Sequence, residues 1–151
     1  MNDRCDDLLE KSAVLDVTNR LFIGTDRRDW TDVAACFADD VLFDMTSIGG
    51  GNPERMTPQQ IVHGWDAGLR GLKAVHHQVG NHAVSVDGDE AEVFCYGIAF
   101  HYLPNSTNRN TRTFVGTYDL HLRKTGGSWL IDRFRFNLKF IDGNLDLEGA
   151  G

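Results

Sequence analysis

The chain has 151 residues, 41% of them hydrophobic, with 22 acidic against 15 basic side chains and a formal net charge of −7. That length and apolar content suit a single domain spanning 1–151 rather than a disordered chain, and the acidic balance excludes nucleic acid as an expected partner. No apolar run reaches the roughly 18 residues of a membrane span, and "MNDRCDDLLEK" lacks the pattern of an export signal, so no membrane association and a cytoplasmic location are expected.

From Asp7 to about Ile23, Leu8, Leu9, Val14, Leu15, Val17, Leu21 and Phe22 recur at helical spacing and predict a first helix, which "GTDRRDW" breaks. Asp29 before "WTDVAACF" reads as the N-cap of a short second helix ending near Ala38. "DDVLFDM" reads as a short strand with Val41, Phe43 and Met45 on one face, and "SIGGGNPERM" as a glycine-rich loop rimming a pocket mouth. Thr57 and Pro58 open a third helix, "PQQIVHGWDAGLRGL", because proline in the first turn forfeits no hydrogen bond.

The second half changes period. Residues 75–86, 91–103, 111–123 and 129–141 read as long strands separated by "DGD", "PNSTNRN" and "KTGG", all turn chemistry. Helices first and antiparallel strands after is the α+β pattern, with helices covering one face of a bent sheet. The ends, about 1–6 and 143–151, are expected to fray. In 93–102 the side chains sort by parity: Val93, Cys95, Gly97, Ala99 and His101 form a small face, and Phe94, Tyr96, Ile98, Phe100 and Tyr102 a bulky one. The small face leaves room for a ligand beneath the helices; the aromatic face asks to be covered, most simply by a second copy in a homodimer.

Three stretches, "GTDRRDWTDVAACFADDVLFDM", "HHQVGNHAVSVDGDEAEVFCYGIAFHY" and "GTYDLHLRKTGGSWLIDRFRF", together cover most of the chain. In their order and spacing the sequence resembles the SnoaL-like and scytalone dehydratase-like branch of the nuclear transport factor 2-like superfamily. The resemblance implies a cystatin-like, cone-shaped barrel: a strongly bent antiparallel sheet against three N-terminal helices, its open end holding a small apolar or aromatic molecule. Relatives include dehydratases, cyclases, isomerases, epoxide hydrolases and proteins without chemistry, so the residues must decide.

Matched to the dehydratase, the resemblance implies that Asp26, after the first helix, contacts His77, with His101 on the next strand and Tyr118 completing the polar set. The dehydratase's two tyrosines correspond to Thr25 and Met45 and are replaced. A steroid isomerase's base and principal donor correspond to Met45 and Leu21, which argues against that chemistry. Arg112 and Arg133 leave an epoxide hydrolase arrangement open.

A carboxylate beside an imidazole fixes its tautomer and stabilises the imidazolium. His77 would then be the base and acid, His101 would share the proton or bind an oxygen, and Tyr118 would stabilise an oxyanion. Such a set suits proton abstraction beside a carbonyl in a cyclic ketone or polyketide-like substrate, with no cofactor. Val41, Phe43, Met45, Trp65, Leu69, Ala99 and Phe114 are the expected pocket residues, and a noncatalytic binding or assembly module is the alternative.

No metal is expected. Neighbouring strand residues point to opposite faces, so His76 and His77 diverge, and His82 shares the parity of His76. Cys5, Cys36 and Cys95 show neither disulfide nor zinc spacing.

Overall fold

A computed structural model describes residues 3–149. The first helix, α1 (Asp3–Arg27), runs about one turn past its expected span at each end, with Asp3 and Asp6 in the first turn and Arg27 in the last, each complementing the helix dipole. Its buried stripe includes Val14, Val17, Leu21 and Phe22, whereas Leu8 and Leu9 stay exposed. The buried hydroxyls of Thr18 and Thr25 donate back to the carbonyls of Val14 and Leu21, which satisfies them inside the stripe.

The end of α1 fixes the path of the chain into α2 and its distance from the helix at Leu69. Arg28 adopts a left-handed backbone (φ 56°), the Asp29 N–H donates to the Gly24 carbonyl, and the Arg28 N–H donates to that of Thr25. These are the paired bonds of a Schellman stop, a place usually given to glycine. The arginine adds something a glycine could not, because its guanidinium donates to the carbonyls of Leu69 and Leu72 at 3.1 and 2.8 Å. Asp29 then caps α2 (Trp30–Ala35) by accepting from the Asp32 N–H.

The strand β1 (Phe37–Asp44) comes next, then a single turn, α3 (Thr46–Gly49), and a short strand, β2 (Glu54–Met56), paired antiparallel with β1. Both α3 and β2 lie in the segment expected to be a plain glycine-rich loop, so the helices number four among the described residues rather than three. Ser47 anchors α3, donating to the Phe136 carbonyl and accepting from the Leu138 N–H. The expected proline-led helix is α4 (Pro58–Leu69), closed at its start by a Thr57–Gln60 capping box.

Four long strands complete the chain: β3 (Ala74–Asp87), β4 (Glu90–Tyr102), β5 (Thr111–Thr125) and β6 (Ser128–Gly143). The six strands form one curved sheet in the order β2-β1-β6-β5-β4-β3. This α+β, cystatin-like architecture matches the expected class, with two corrections. The sheet ends at β2 and β3 and does not close into a barrel, and β1 lies parallel to β6, so the sheet is not wholly antiparallel. Parallel pairing requires a long crossover, which β3, β4 and β5 supply. The core lies between the helices and the concave face, where Val14, Leu21, Val41, Leu120, Leu122 and Ile131 are sealed from solvent.

The register of β3 shifts between Gly80 and Ala83, where Asn81 has a left-handed backbone (φ 54°). One extra residue is accommodated, and the inward parity moves from Val75, His77 and Val79 to His82, Val84 and Val86. In β4 the expected sorting holds throughout: Ala91, Val93, Cys95, Gly97 and Ala99 are buried, and Phe94, Tyr96, Ile98, Phe100 and Tyr102 are exposed.

The segment after β6, expected to fray, is packed as far as it is described. Leu147 is fully buried in a satellite cluster with Leu72 and Val75, flanked by Leu69 and Leu103. The Asn144 N–H donates to the Thr111 carbonyl and its side-chain amide to that of Arg109. Likewise α1 is helical from Asp3, while residues 1, 2, 150 and 151 lie outside the described residues. Truncation of Leu147 to alanine is expected to cost about 2–5 kcal/mol of unfolding free energy, measurable by urea denaturation; a change under about 0.5 kcal/mol, the range of ordinary surface substitutions, would mean that the tail is not part of the core.

Candidate active site

The strand register dictates which side chains meet. His77 on β3 stands opposite Ala99 on β4, and His101 stands opposite Val75, so the two histidines are diagonal neighbours on the concave face. Across β4, Ala99 faces Phe114 and His101 faces Arg112. Alanine between His77 and Phe114 keeps the floor open.

Above this floor is a cavity of about 210 Å³. Its polar edge carries His77, His101 and Tyr118; Phe22, Trp65, Phe114, Phe134 and Phe136 form aromatic walls, and Met45, Ile48 and Leu69 close the sides. A dry apolar cavity of about 150 Å³ is enough for benzene, so this one suits a molecule of one to two rings. No side chain bearing a permanent charge lines it.

Asp26, in the last turn of α1 rather than in a turn beyond it, lies behind His77. One carboxylate oxygen accepts from the His77 backbone N–H at 2.8 Å, and the other sits 2.7 Å from the ring Nδ1. Nδ1 therefore carries the proton and Nε2 presents its lone pair. Phe22 lies against the ring, with centroids 5.7 Å apart.

His101 has the opposite arrangement. Its Nδ1 is 3.0 Å from Nη2 of Arg112, and burial, then the Arg112 and His77 charges, hold its pKa down to about 4, against weaker opposition from Glu148 and Asp26. The imidazole is neutral at ordinary pH.

Tyr118 packs its ring against Phe22, Phe134 and Phe136. Gly97 makes this possible, since a Cβ there would collide with the tyrosine ring. Burial raises the phenol pKa well above its ordinary value, so Tyr118 stays protonated.

The expected residues divide accordingly. Asp26, His77, His101 and Tyr118 converge, and Met45, Trp65, Leu69, Ala99 and Phe114 line the cavity. Val41 and Phe43 do not: Val41 is sealed in the core, and Phe43 stacks on Phe134 behind the wall, with centroids 5.4 Å apart. The strand β1 lies beyond β6 in the sheet, away from β3 and β4, and of the three expected residues from this segment only Met45, past the strand end, lines the cavity. Phe22, Ile48, Phe134 and Phe136 are wall residues that sequence reasoning did not single out for this role. The alternation of Phe134 and Phe136 with Arg133 and Arg135 could have found two of them, for those arginines pair with Glu92 and Asp44 instead.

The other histidines lie elsewhere. His76 is on the convex face beside Gln78, and His121 bonds Asp132, with Glu90 and Arg123 nearby. Contrary to the parity expectation, the bulge turns His82 inward, where its Nε2 is buried without a partner. No group of three or more His, Cys, Asp or Glu side chains among the described residues is placed to hold a metal ion. Burial pushes the Cys95 thiol up to about 12, which makes it a poor nucleophile. No described helix is long and apolar enough to cross a membrane.

Comparison with known proteins finds the same fold in several solved structures. A protein from Kribbella flavida, Kfla4162, superposes with a TM-score of 0.85 at 22% identity, over 92% of this chain and 96% of that one. A hexachlorocyclohexane dehydrochlorinase, LinA type 3 from Novosphingobium barchaimii, gives 0.76 at 15% identity over 94% of each chain. A protein provisionally described as a scytalone dehydratase, from Novosphingobium aromaticivorans, gives 0.79 at 17% identity, over 91% and 89%. At these identities the likeness is one of fold. No match is found among curated proteins. The SnoaL-like domain model matches residues 6–135, most of the cone and its helices, and the chain belongs to the SnoaL-like domain family.

Proposed function

We propose that the protein is a cofactor-independent lyase or isomerase that removes a proton beside the carbonyl of a small, neutral, cyclic ketone. The observation that carries this reading is the Asp26–His77 pair at 2.7 Å, which leaves Nε2 of a cavity-lining imidazole bare. The family and the fold shared with dehydrochlorinases and a dehydratase-like protein agree with a base-initiated elimination.

In the dehydrating form, His77 Nε2 takes the proton from the carbon next to the carbonyl, and the C–H electron pair moves into an enolate. His101 and the Tyr118 hydroxyl supply hydrogen bonds to that oxygen, in surroundings where solvent competes little. The enolate pair then returns to form the carbon–carbon double bond, the hydroxyl on the next carbon leaves, and the His77 imidazolium protonates it to water. Asp26 keeps the imidazolium oriented and stabilised throughout. Returning the proton to a different carbon gives the isomerase outcome with the same residues.

A noncatalytic binder is the second reading. It is favoured by the side chains standing where the dehydratase has tyrosines: Met45 offers no hydroxyl, and the Thr25 hydroxyl is spent on the Leu21 carbonyl. A β-hydroxytetralone, which dehydrates to a naphthol, is a bicyclic probe suited to the cavity, with naphthol fluorescence as the readout. His77→Gln and Asp26→Asn should each lower turnover by about 10²–10⁴-fold, the usual worth of a positioned acid–base group. Saturable binding of the probe, with proton exchange into deuterated water equal in the wild type and both variants, would favour the binder.

The same proposal extends to assembly. Phe94, Tyr96, Ile98, Phe100 and Tyr102 form an exposed row on the convex face of β4, and covering it in a homodimer would remove that apolar area from water. Sedimentation should show two chains per particle for the wild type and one for Tyr96→Glu/Phe100→Glu. A wild-type monomer at tens of micromolar, where a pair with a Kd of about 1 μM would be mostly assembled, would remove the dimer.

A further inference from the structure

His101 is controlled from outside the cavity by two residues with no place in the acid–base set. Arg112 is its direct cross-strand partner, and a guanidinium has only donors. The 3.0 Å contact from Arg112 Nη2 therefore requires a lone pair at His101 Nδ1, and a neutral ring with that lone pair carries its proton on Nε2.

Arg112 is held in turn. Glu148 grips it with both oxygens, Oε1 on Nη2 at 2.6 Å and Oε2 on Nη1 at 2.8 Å, and the Leu145 carbonyl lies 3.5 Å from Nη1. The arginine side chain is 15% exposed and the glutamate 44%, so the tail closes over a largely buried cation. Burial of Leu147 and the Asn144 bonds fix the backbone that presents Glu148.

The geometry points to Arg112 and Glu148 as positioning residues that commit His101 to be a neutral Nε2–H donor, complementary to His77, whose Nε2 is an acceptor. This deepens the acid–base reading of the site and rests on it for its catalytic meaning. The substrate class narrows with it: a ligand that offers a hydrogen-bond acceptor to His101 and an acidic C–H to His77. A protonated His101 would set N–H against N–H and cation against guanidinium. The charged and titratable groups around it are Arg112 from β5, His77 from β3, Asp26 from α1 and Glu148 from the tail.

Long-range ¹H–¹⁵N correlation of histidine-labelled protein reads the tautomer without any substrate. Wild-type His101 should show the Nε2–H form between pH 5 and 8 and take up a proton only near pH 4. Arg112→Met should yield mixed tautomers and a titration displaced upward, Arg112→Lys should partly restore the Nε2–H form, and Glu148→Gln should weaken the bias with the fold intact. On the β-hydroxytetralone, Arg112→Met should lower kcat by up to about 100-fold with little change in KM, as for loss of one oxyanion donor. An Nδ1–H tautomer in the wild type, or an unchanged tautomer in Arg112→Met, overturns the assignment even if that variant is unstable, because the first measurement needs no variant. The expected tautomers in a protein with no turnover would support the positioning and refute the acid–base reading instead.

Discussion

The two-handed grip of Asp26 on His77 is the constraint on which the rest of the site depends. One carboxylate oxygen holds the main chain and the other the ring, joining positions 51 residues apart. The ring alone could swing on its rotamers; with the backbone amide also fixed, the last turn of α1 cannot shift without moving β3. A left-handed arginine directly after that turn ties it to the end of α4 as well, and α4 carries Trp65 and Leu69 to the cavity. A single helix ending thus sets the orientation of the His77 ring, its tautomer and one wall.

Charge is arranged in layers around the cavity. Its surface is aromatic and aliphatic, broken only by two imidazoles, a phenol and the spent hydroxyl of Thr25. The full charges stand one layer back and each has a partner, Asp26 in two hydrogen bonds to His77 and Arg112 in an ion pair with Glu148. Removing water from the surroundings strengthens the fields these pairs project and penalises any group left without a partner. Two histidines a strand apart consequently behave differently: one faces a carboxylate and the other a guanidinium.

Much of this was legible in the sequence because it depends on local pattern. Period-two alternation in β4 gave its two faces correctly, Thr57 with Pro58 located the start of α4, and Asp29 was recognisable as a cap. The resemblance supplied Asp26, His77 and His101, which no spacing rule could have connected across the chain. What escaped depends on irregular backbone or on long-range pairing. The bulge at Asn81 inverts a parity that the sequence shows as unbroken, and the inward turn of His82 therefore has no local signal. The parallel partnership of β1 and β6 leaves no local trace. The tail looked polar and loose because its one buried leucine and its glutamate acquire meaning only when Leu72, Val75 and Arg112 are brought to them.

An unclosed sheet has two borders where unpaired amides and carbonyls can recruit a foreign strand. One border here is β2, three residues long and too brief to template much. The other is β3, fourteen residues long, and an uninterrupted ribbon of that length would invite stacking into aggregates. The kink at Asn81 divides it into two shorter, differently twisted segments. The irregularity that turns His82 inward thereby also shortens the straight run of edge that a foreign strand could pair with.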